Sequence, residues 1–236
     1  MKKNSYVEKL NWDSTFFRQN IGKITLSDRN DILTLNNLEN NNQYDVIYVF
    51  SNVLLFDDIV EMCLTNSNFI HVDRKVTLEL NLDLDHNKYE DFDDISIASN
   101  VSNDIINLAY ESGHLSRFYK DERFRQYFPS LYKLWIEKDF LEGYVFVKTF
   151  ENKIVGLLSV TINDHISNIG LVAVDTIFRG QGIGVQLFNS LFSFLKSRNV
   201  KLCRVVTQSE NDPALKLYDK VGFKVIDVVD VWHYWR

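Results

Sequence analysis

The chain has 236 residues, 45 % of them hydrophobic, a formal net charge of −6, two prolines and two cysteines. It is long enough for a substantial core and exceeds one average domain. The pI near 5.4 and the lack of a basic patch argue against nucleic acid as a partner. Small anionic ligands stay open, because distant surface carboxylates are screened over ~8 Å in physiological salt.

Met1-Lys2-Lys3-Asn4-Ser5 leads into Tyr6-Val7-Glu8-Lys9, which is no signal peptide. No apolar stretch is long enough for a bilayer. Cys63 and Cys203 are too few for a disulfide framework, so a cytoplasmic location is expected. Leu10-Asn11-Trp12-Asp13-Ser14-Thr15-Phe16-Phe17 predicts a surface helix capped by Asp13 or Ser14. Ile32, Leu33, Leu35 and Leu38 predict a short helix, residues 44–50 a buried strand and residues 57–64 a further helix. Val76, Leu78, Leu80 and Leu82 alternate with polar residues in a strand over about 69–82. Residues 83–94 carry six acids (Asp83, Asp85, Glu90, Asp91, Asp93 and Asp94) and are expected to be a solvated connector. The domain boundary is therefore placed there, with a small α/β domain over 1–94 and a second domain over 95–236.

The second domain starts with a helix from Ser102 or Asn103 through Ile105, Leu108 and Ala109, broken near Gly113. Pro129 opens another helix carrying Leu131, Tyr132, Trp135 and Ile136. Residues 144–150 and 154–162 read as a hairpin. After a polar turn, Gly170-Leu171-Val172-Ala173-Val174 is apolar without alternation, as in a strand covered on both faces. Asp175-Thr176-Ile177-Phe178 breaks it, and Arg179-Gly180-Gln181-Gly182-Ile183-Gly184 follows. Ile183, Leu187, Leu191 and Leu195 then mark one face of a helix. The chain closes with strand residues from Lys224 to Trp235.

A strand that feeds a glycine-rich turn into a helix is suited to hold a phosphate. The first helical turn leaves N–H groups unpaired, and the macrodipole adds positive charge there. Gly180, Gly182 and Gly184 lack a Cβ that would keep an anion from the backbone, and Arg179 adds a cation. Ile183-Gly184-Val185 is not the end of a P-loop, and the third glycine and acidic residue of a dinucleotide fingerprint are absent. Downstream, Asn211 or Asp212 can cap a helix with Pro213 in its first turn, and Gly222 is placed to end it.

The pattern Arg179-x-x-Gly182-x-Gly184 after an apolar strand resembles the acyl-CoA signature of the Gcn5-related N-acetyltransferases (GNAT family). Asn211-x-x-Ala214-x-x-x-Tyr218-x-x-x-Gly222-Phe223 resembles the same family at the right distance downstream. The resemblance covers roughly residues 102–236. It implies an α/β fold in which a mixed sheet, flanked by helices, splays between two central strands to admit acetyl-CoA as co-substrate. By position, Val172, Ala173 and Val174 would offer backbone groups to the pantetheine arm. Arg179, Gly180, Gln181, Gly182, Ile183 and Gly184 would hold the pyrophosphate, Asn211 would bind the cofactor, and Tyr218 would sit near the sulfur. A cysteine-like thiolate has pKa ~8.5 against ~10 for tyrosine, so full proton transfer from Tyr218 is uphill by ~2 kcal/mol. A strengthening hydrogen bond is its better role. Asp175-Thr176 stands where the family often has proline, which leaves the shape of the loop open.

Trp12-Asp13-Ser14-x-Phe16-Phe17, residues 71–77, and Ser116-Arg117-Phe118 with Tyr132-x-x-Trp135 resemble the dTDP-fucosamine acetyltransferase branch. This implies acetylation of the 4-amino group of a dTDP-linked 4-amino-4,6-dideoxy sugar for surface polysaccharide. Arg117, Tyr132 and Trp135 would then lie on the acceptor side. A peptide or lysine acetyltransferase and a non-catalytic acyl-CoA-binding regulator are the competing readings, and a homodimer is left open. The general base is not legible among His114, His165, Glu142 and Asp164. The histidines His71, His86, His114, His165 and His233 lack metal-ligand spacing, so no metal is expected.

Overall fold

The structure, a computed structural model, describes residues 7–26, 35, 38, 42–52, 65–84 and 89–236. The helices expected through Ile32 to Leu38 and over 57–64 lie largely or wholly outside them. The chain forms two compact units. The first comprises Met1–Lys75, Ser116–Phe124 and Val228–Arg236, the second Val76–Leu115 and Arg125–Asp227. This discontinuous division differs from the single cut after residue 94 expected above.

In the first unit, β1 (Glu8–Lys9) lies antiparallel to β2 (Ile21–Leu26), which is parallel to β3 (Val46–Asn52). The second half of β10 (Lys224–Trp235) is antiparallel to β3, from Val229 opposite Asn52 to Trp235 opposite Val46. The first half of β4 (Phe69–Asn81) follows β10 in the order. Alternation along the strands separates two sets of side chains. Ile47, Val49, Trp232 and Tyr234 join Ile24, Leu26 and Phe69 in one apolar cluster. Tyr48 and His233 instead meet the rings of Phe118 and Phe124, with Phe17 against both phenylalanines. Phe118 comes from the short helix α3 (Arg117–Lys120), and Phe124 from α4 (Glu122–Arg125).

The helix predicted near Trp12 is α1 (Asn11–Phe17), but its N-cap is Leu10 and no side chain caps it. Asp13 and Ser14 lie inside the first turns. The Ser14 hydroxyl donates back to the Leu10 carbonyl at 2.6 Å and accepts from the Ile21 amide at 3.0 Å, tying α1 to β2.

The second unit contains the rest of β4, β5 (Ile95–Ile97), α2 (Asn103–Ser112) and α5 (Phe128–Glu142). Next come β6 (Tyr144–Phe150), β7 (Lys153–Asn163), β8 (Ile166–Val174), α6 (Ile183–Ser197), β9 (Leu202–Gln208) and α7 (Asp212–Lys220). Its strand order is β4-β9-β8-β7-β6-β5. Strands β5 to β8 pair antiparallel, and β8 and β9 are parallel. The helix expected from Ser102 or Asn103 is α2, and the Ser102 side chain accepts from the Ile105 amide, a cap that contributes ~1 kcal/mol. In β7 the run from Val155 to Ser159 is buried on both faces. A Cβ on Gly156 would meet Ile183 and Leu187 of α6, whereas Ser159, of opposite parity, reaches Asp139 of α5. Helices therefore cover both faces of this mixed sheet.

The described parts of the acidic stretch are not a free connector, because their side chains find partners inside the second unit. Asp83 pairs with Lys201 at 3.4 Å, Asp91 accepts from the Ser193 hydroxyl at 3.3 Å, and Asp94 contacts Lys148. The Tyr89 ring packs on Phe192, with the Lys196 ammonium above it.

Candidate functional site

Strands β8 and β9 pair from Ile166 opposite Leu202 to Ile169 opposite Val205, and the register ends there. Along its other edge β8 stays paired with β7 as far as Val174 opposite Gly156. From Gly170 onward, backbone groups of β8 that face away from β7 therefore have no strand to bond. Val172, Ala173 and Val174 lie in this segment, Val172 and Val174 half-buried and Ala173 buried. Unpaired strand amides demand a partner, and a ligand bearing its own amides can supply one. The Val174 carbonyl already accepts from Arg179 Nε at 3.0 Å.

Beyond β8 the chain turns through a 3-10 segment, Thr176–Phe178, capped by Asp175, whose carboxylate accepts from the Ile177 amide at 3.1 Å. The same carboxylate holds Lys153 Nζ at 2.8 Å. Hydrogen bonds from Lys153 and the Ile177 amide bring the Asp175 carboxyl below the usual range. Asp175 thus shapes this corner through side-chain bonds.

The sequence assigns the three glycines of the turn one role, and the structure separates them. Gly180 and Gly182 have φ of +78° and +82°, with open space where a Cβ would stand. They are needed for a left-handed backbone. Gly184 is helical, and a Cβ there would come within 2.8 Å of Leu217 Cδ2, so it serves the packing of α6 on α7. Gly182 caps α6 with no side-chain bond, and the first helical bond runs from the Gln186 amide to the Gly182 carbonyl at 3.1 Å. The amides of Ile183, Gly184 and Val185 precede it and lie at the positive end of the dipole. Gln181 is exposed on the turn. Arg179 is half-exposed, its guanidinium 3.5 Å from Glu111.

Asn211 caps α7. Its oxygen accepts from the Ala214 amide at 3.3 Å, and its nitrogen donates to the Thr207 hydroxyl at 3.2 Å. This side chain fixes the step from β9 to α7. At the far end the Phe223 amide bonds the Tyr218 carbonyl and the Gly222 amide the Asp219 carbonyl, with Gly222 at φ +99°. That is the 6→1, 5→2 Schellman pattern. It anchors the backbone of Tyr218, whose ring packs against Phe188 and Phe223 and whose pKa burial pushes up.

The three residues expected on the acceptor side divide between the units. Arg117 belongs to the first, its guanidinium 4.3 Å from the Tyr48 ring centre and 4.6 Å from that of Phe118. Tyr132 and Trp135 belong to the second, their rings in contact. Tyr132 is only 4 % exposed, and a Cβ on Gly113 would overlap its ring. It fills the joint between α2 and α5, while Trp135 is partly exposed.

One feature escapes sequence reading. The register of β7 and β8 shifts between Leu158 and Val160, so Ser159 faces both Gly170 and Leu171. The Leu171 amide donates to Ser159 Oγ at 2.8 Å, and Ser159 donates to Asp139 Oδ2 at 2.5 Å. A Cβ on Gly170 would fall on that same carboxylate oxygen. No motif marks Asp139; only the bulge brings it to β8. Among the described residues, no three His, Cys, Asp or Glu gather as metal ligands, and no helix is long and apolar enough to cross a membrane.

Residues 108–223 match the acetyltransferase (GNAT) family model. The uncharacterized N-acetyltransferase MJ1207 of Methanocaldococcus jannaschii is 28 % identical over 122 residues, 49 % of this chain and 52 % of that protein. The chain spans about half the length of the curated relatives it matches. Among solved structures, a functionally unknown conserved protein of Staphylococcus epidermidis has a TM-score of 0.68 at 15 % identity, covering 100 % of this chain and 93 % of its own. PaiA N-acetyltransferase of Thermoplasma acidophilum, in complex with coenzyme A, has a TM-score of 0.50 at 16 % identity, covering 60 % and 99 %. The structural neighbours show that the chain has the GNAT fold, and the match over residues 108–223 supports the GNAT acetyltransferase family for that part of it.

Proposed function

We propose that this chain is an N-acetyltransferase that moves the acetyl group of acetyl-CoA directly to a primary amine. The observation that carries this is the end of β8–β9 pairing at Ile169 and Val205, next to the uncapped start of α6. Open strand amides fit an extended amide-bearing arm, and the α6 amides with Arg179 suit its diphosphate. On this reading Val172 and Ala173 offer main-chain groups to the arm. Gly180, Gln181, Gly182, Ile183 and Gly184 wrap the phosphates, and Asn211 holds β9 and α7 in place. Acetyl-CoA supplies an activated thioester carbon.

Tyr218 has one polar group, its hydroxyl, in an aromatic setting. Burial pushes its pKa up, which adds to the ~2 kcal/mol by which full transfer to a thiolate is already uphill. Its role is therefore a hydrogen bond that strengthens as the sulfur gains charge.

The acceptor in this reading is a small-molecule amine, and the amino-terminal sequence cues favour a nucleotide-linked 4-amino-4,6-dideoxy sugar. The Arg117 guanidinium, braced on Tyr48 and Phe118, is a planar cation suited to a diphosphate. Within the second unit, the partly exposed Trp135 ring packs on Tyr132, and the sequence cues are what assign this pair to the acceptor. Incubating the protein with acetyl-CoA and a panel of amino-sugar nucleotides, peptides and polyamines, while following free thiol, tests the proposal. Turnover on an amino-sugar nucleotide supports it in full. Turnover on peptides alone removes the sugar, and tight CoA binding without turnover on any amine overturns catalysis. Tyr218→Phe is expected to lower turnover about 10–1000-fold and leave CoA affinity within about twofold.

A further inference from the structure

The mechanism above lacks a group to take a proton from the acceptor, since an amine is an ammonium ion at neutral pH and has no lone pair to attack with. We propose that the Asp139 carboxylate, held over the bulge of β8, docks the acceptor's ammonium group and takes its first proton. The inference rests on the acetyl-transfer reading and names the residue that reading leaves open.

Gly170 is the first residue of β8 beyond the last β8–β9 pair, so it lies at the head of the gap between the strands. The Asp139 carboxylate lies against it, where a Cβ would stand. Glycine at 170 therefore admits the carboxylate to the strand. The carboxylate is also fixed in orientation. Ser159 is fully buried, donates to Oδ2 at 2.5 Å and accepts from the Leu171 amide at 2.8 Å. That chain commits Oδ2 and leaves Oδ1 for an incoming N–H.

A half-buried carboxylate without a cation at hand costs several kcal/mol relative to water. Among the described residues, no Lys, Arg or His stands at salt-bridge distance from Asp139. Its charged influences are Lys138 and Glu142 of its own helix, and the strand beneath it brings the Ser159 hydroxyl. An ammonium ion entering the gap would supply the missing cation. Burial raises the pKa, with the Ser159 bond pulling the other way, and a stronger base is better matched to an ammonium.

The step balances. The ammonium gives one proton to Asp139, and the freed lone pair forms the C–N bond at the thioester carbon. The C–S bond breaks with its electron pair going to sulfur. The nitrogen's second proton goes to the thiolate beside the Tyr218 hydroxyl, and Asp139 returns its own to solvent.

Asp139→Asn keeps size and the Ser159 contact while removing the charge. CoA binding, measured by calorimetry, is expected to stay within about twofold. kcat/KM for the best amine of the panel falls about 100-fold or more, and the acidic limb of its pH profile disappears. Ser159→Ala removes the bond that lowers the Asp139 pKa, so the acidic limb moves to higher pH. A readout free of turnover is carbon NMR of 13C-labelled aspartate in the CoA-saturated protein. The Asp139 carboxyl is expected to titrate above the ordinary aspartate range and to shift on addition of methylammonium chloride. Wild-type kcat/KM in Asp139→Asn with CoA bound would overturn the inference and leave the acetyltransferase reading standing. Absence of CoA binding in the wild type would overturn both.

Discussion

At the scale of single residues, the turn after β8 shows what a glycine pattern conceals. Gly180, Gly182 and Gly184 look equivalent in the sequence, yet only the first two have positive φ, and only Gly184 lies against a neighbouring side chain, Leu217. Gly182→Ala forces an L-residue into the left-handed region, so it is expected to destabilise the chain by ~1–2 kcal/mol in urea titrations. Gly184→Ala gains ~1 kcal/mol of helix propensity and displaces the flexible end of Leu217, so its stability is expected to stay within about 1 kcal/mol of the parent. Equal losses for the two variants would show that this separation of roles is wrong. The spacing of the signature was legible because a turn from strand to helix repeats locally. The packing task of Gly184 was not, because it depends on Leu217, which the chain reaches only after β9. Asp139 was hidden for the same reason, since its neighbours Ser159 and Gly170 come from two other elements.

At the scale of elements, the strands and helices of the second unit were the most legible, from the start of α2 near Ser102 to the Asn211 cap and Gly222 end of α7, because each signal is local. The amino-terminal elements were less so. Asp13 and Ser14 look like caps, but the Ser14 hydroxyl donates one turn back to Leu10 and accepts from Ile21 of β2, and the second contact exists only in the fold. The last strand also carries a pairing invisible in sequence. His233 Nδ1 lies 2.6 Å from Asp121 Oδ2, and Trp235 Nε1 donates to the same oxygen at 2.9 Å. Burial pushes the His233 imidazole down to about 4, even though Asp121 opposes this. Burial acts to raise Asp121, but the bonds from His233 and Trp235 leave it below its usual value. Both shifts have the same sign for folding. Between about pH 6.5 and 4 the unfolded chain binds a proton at His233 that the folded chain refuses, and below about 3.8 the unfolded chain binds one at Asp121 first. From these two groups the stability of this unit is expected to be level just above about pH 6.5 and to fall with acid, with the Asp13 carboxyl, raised by burial, opposing part of the fall. Tryptophan fluorescence is a suitable monitor, since Trp12, Trp232 and Trp235 all belong to the first unit. In His233→Asn the slope between pH 6.5 and 4 should flatten, and an unchanged slope would remove His233 as its source.

At the scale of the whole molecule, the acidic stretch at 83–94 looks like a boundary, yet the chain divides elsewhere. Charge density marks solvent exposure, not the end of a fold, and here Asp83, Asp91 and Asp94 are bound into the second unit. The first unit needs three separate pieces of chain, and this has a direct consequence. A fragment of residues 1–94 keeps β3 but loses β10, whose residues face it from Val229 to Trp235. It also loses Phe118 and Phe124, which cover Phe17 and Tyr48. Buried large side chains contribute ~1.5–3 kcal/mol each, comparable in sum to the 5–15 kcal/mol that holds a domain folded. The fragment is therefore expected to give a collapsed amide NMR spectrum, and the full chain a dispersed one. A chain ending at Asp227 loses the same strand but keeps every piece of the second unit. It should lose the fluorescence signature of buried tryptophan while retaining the amide dispersion of residues 125–227. A dispersed spectrum from 1–94 alone would show that the first unit is closed by its own sequence, and the discontinuous division would be wrong.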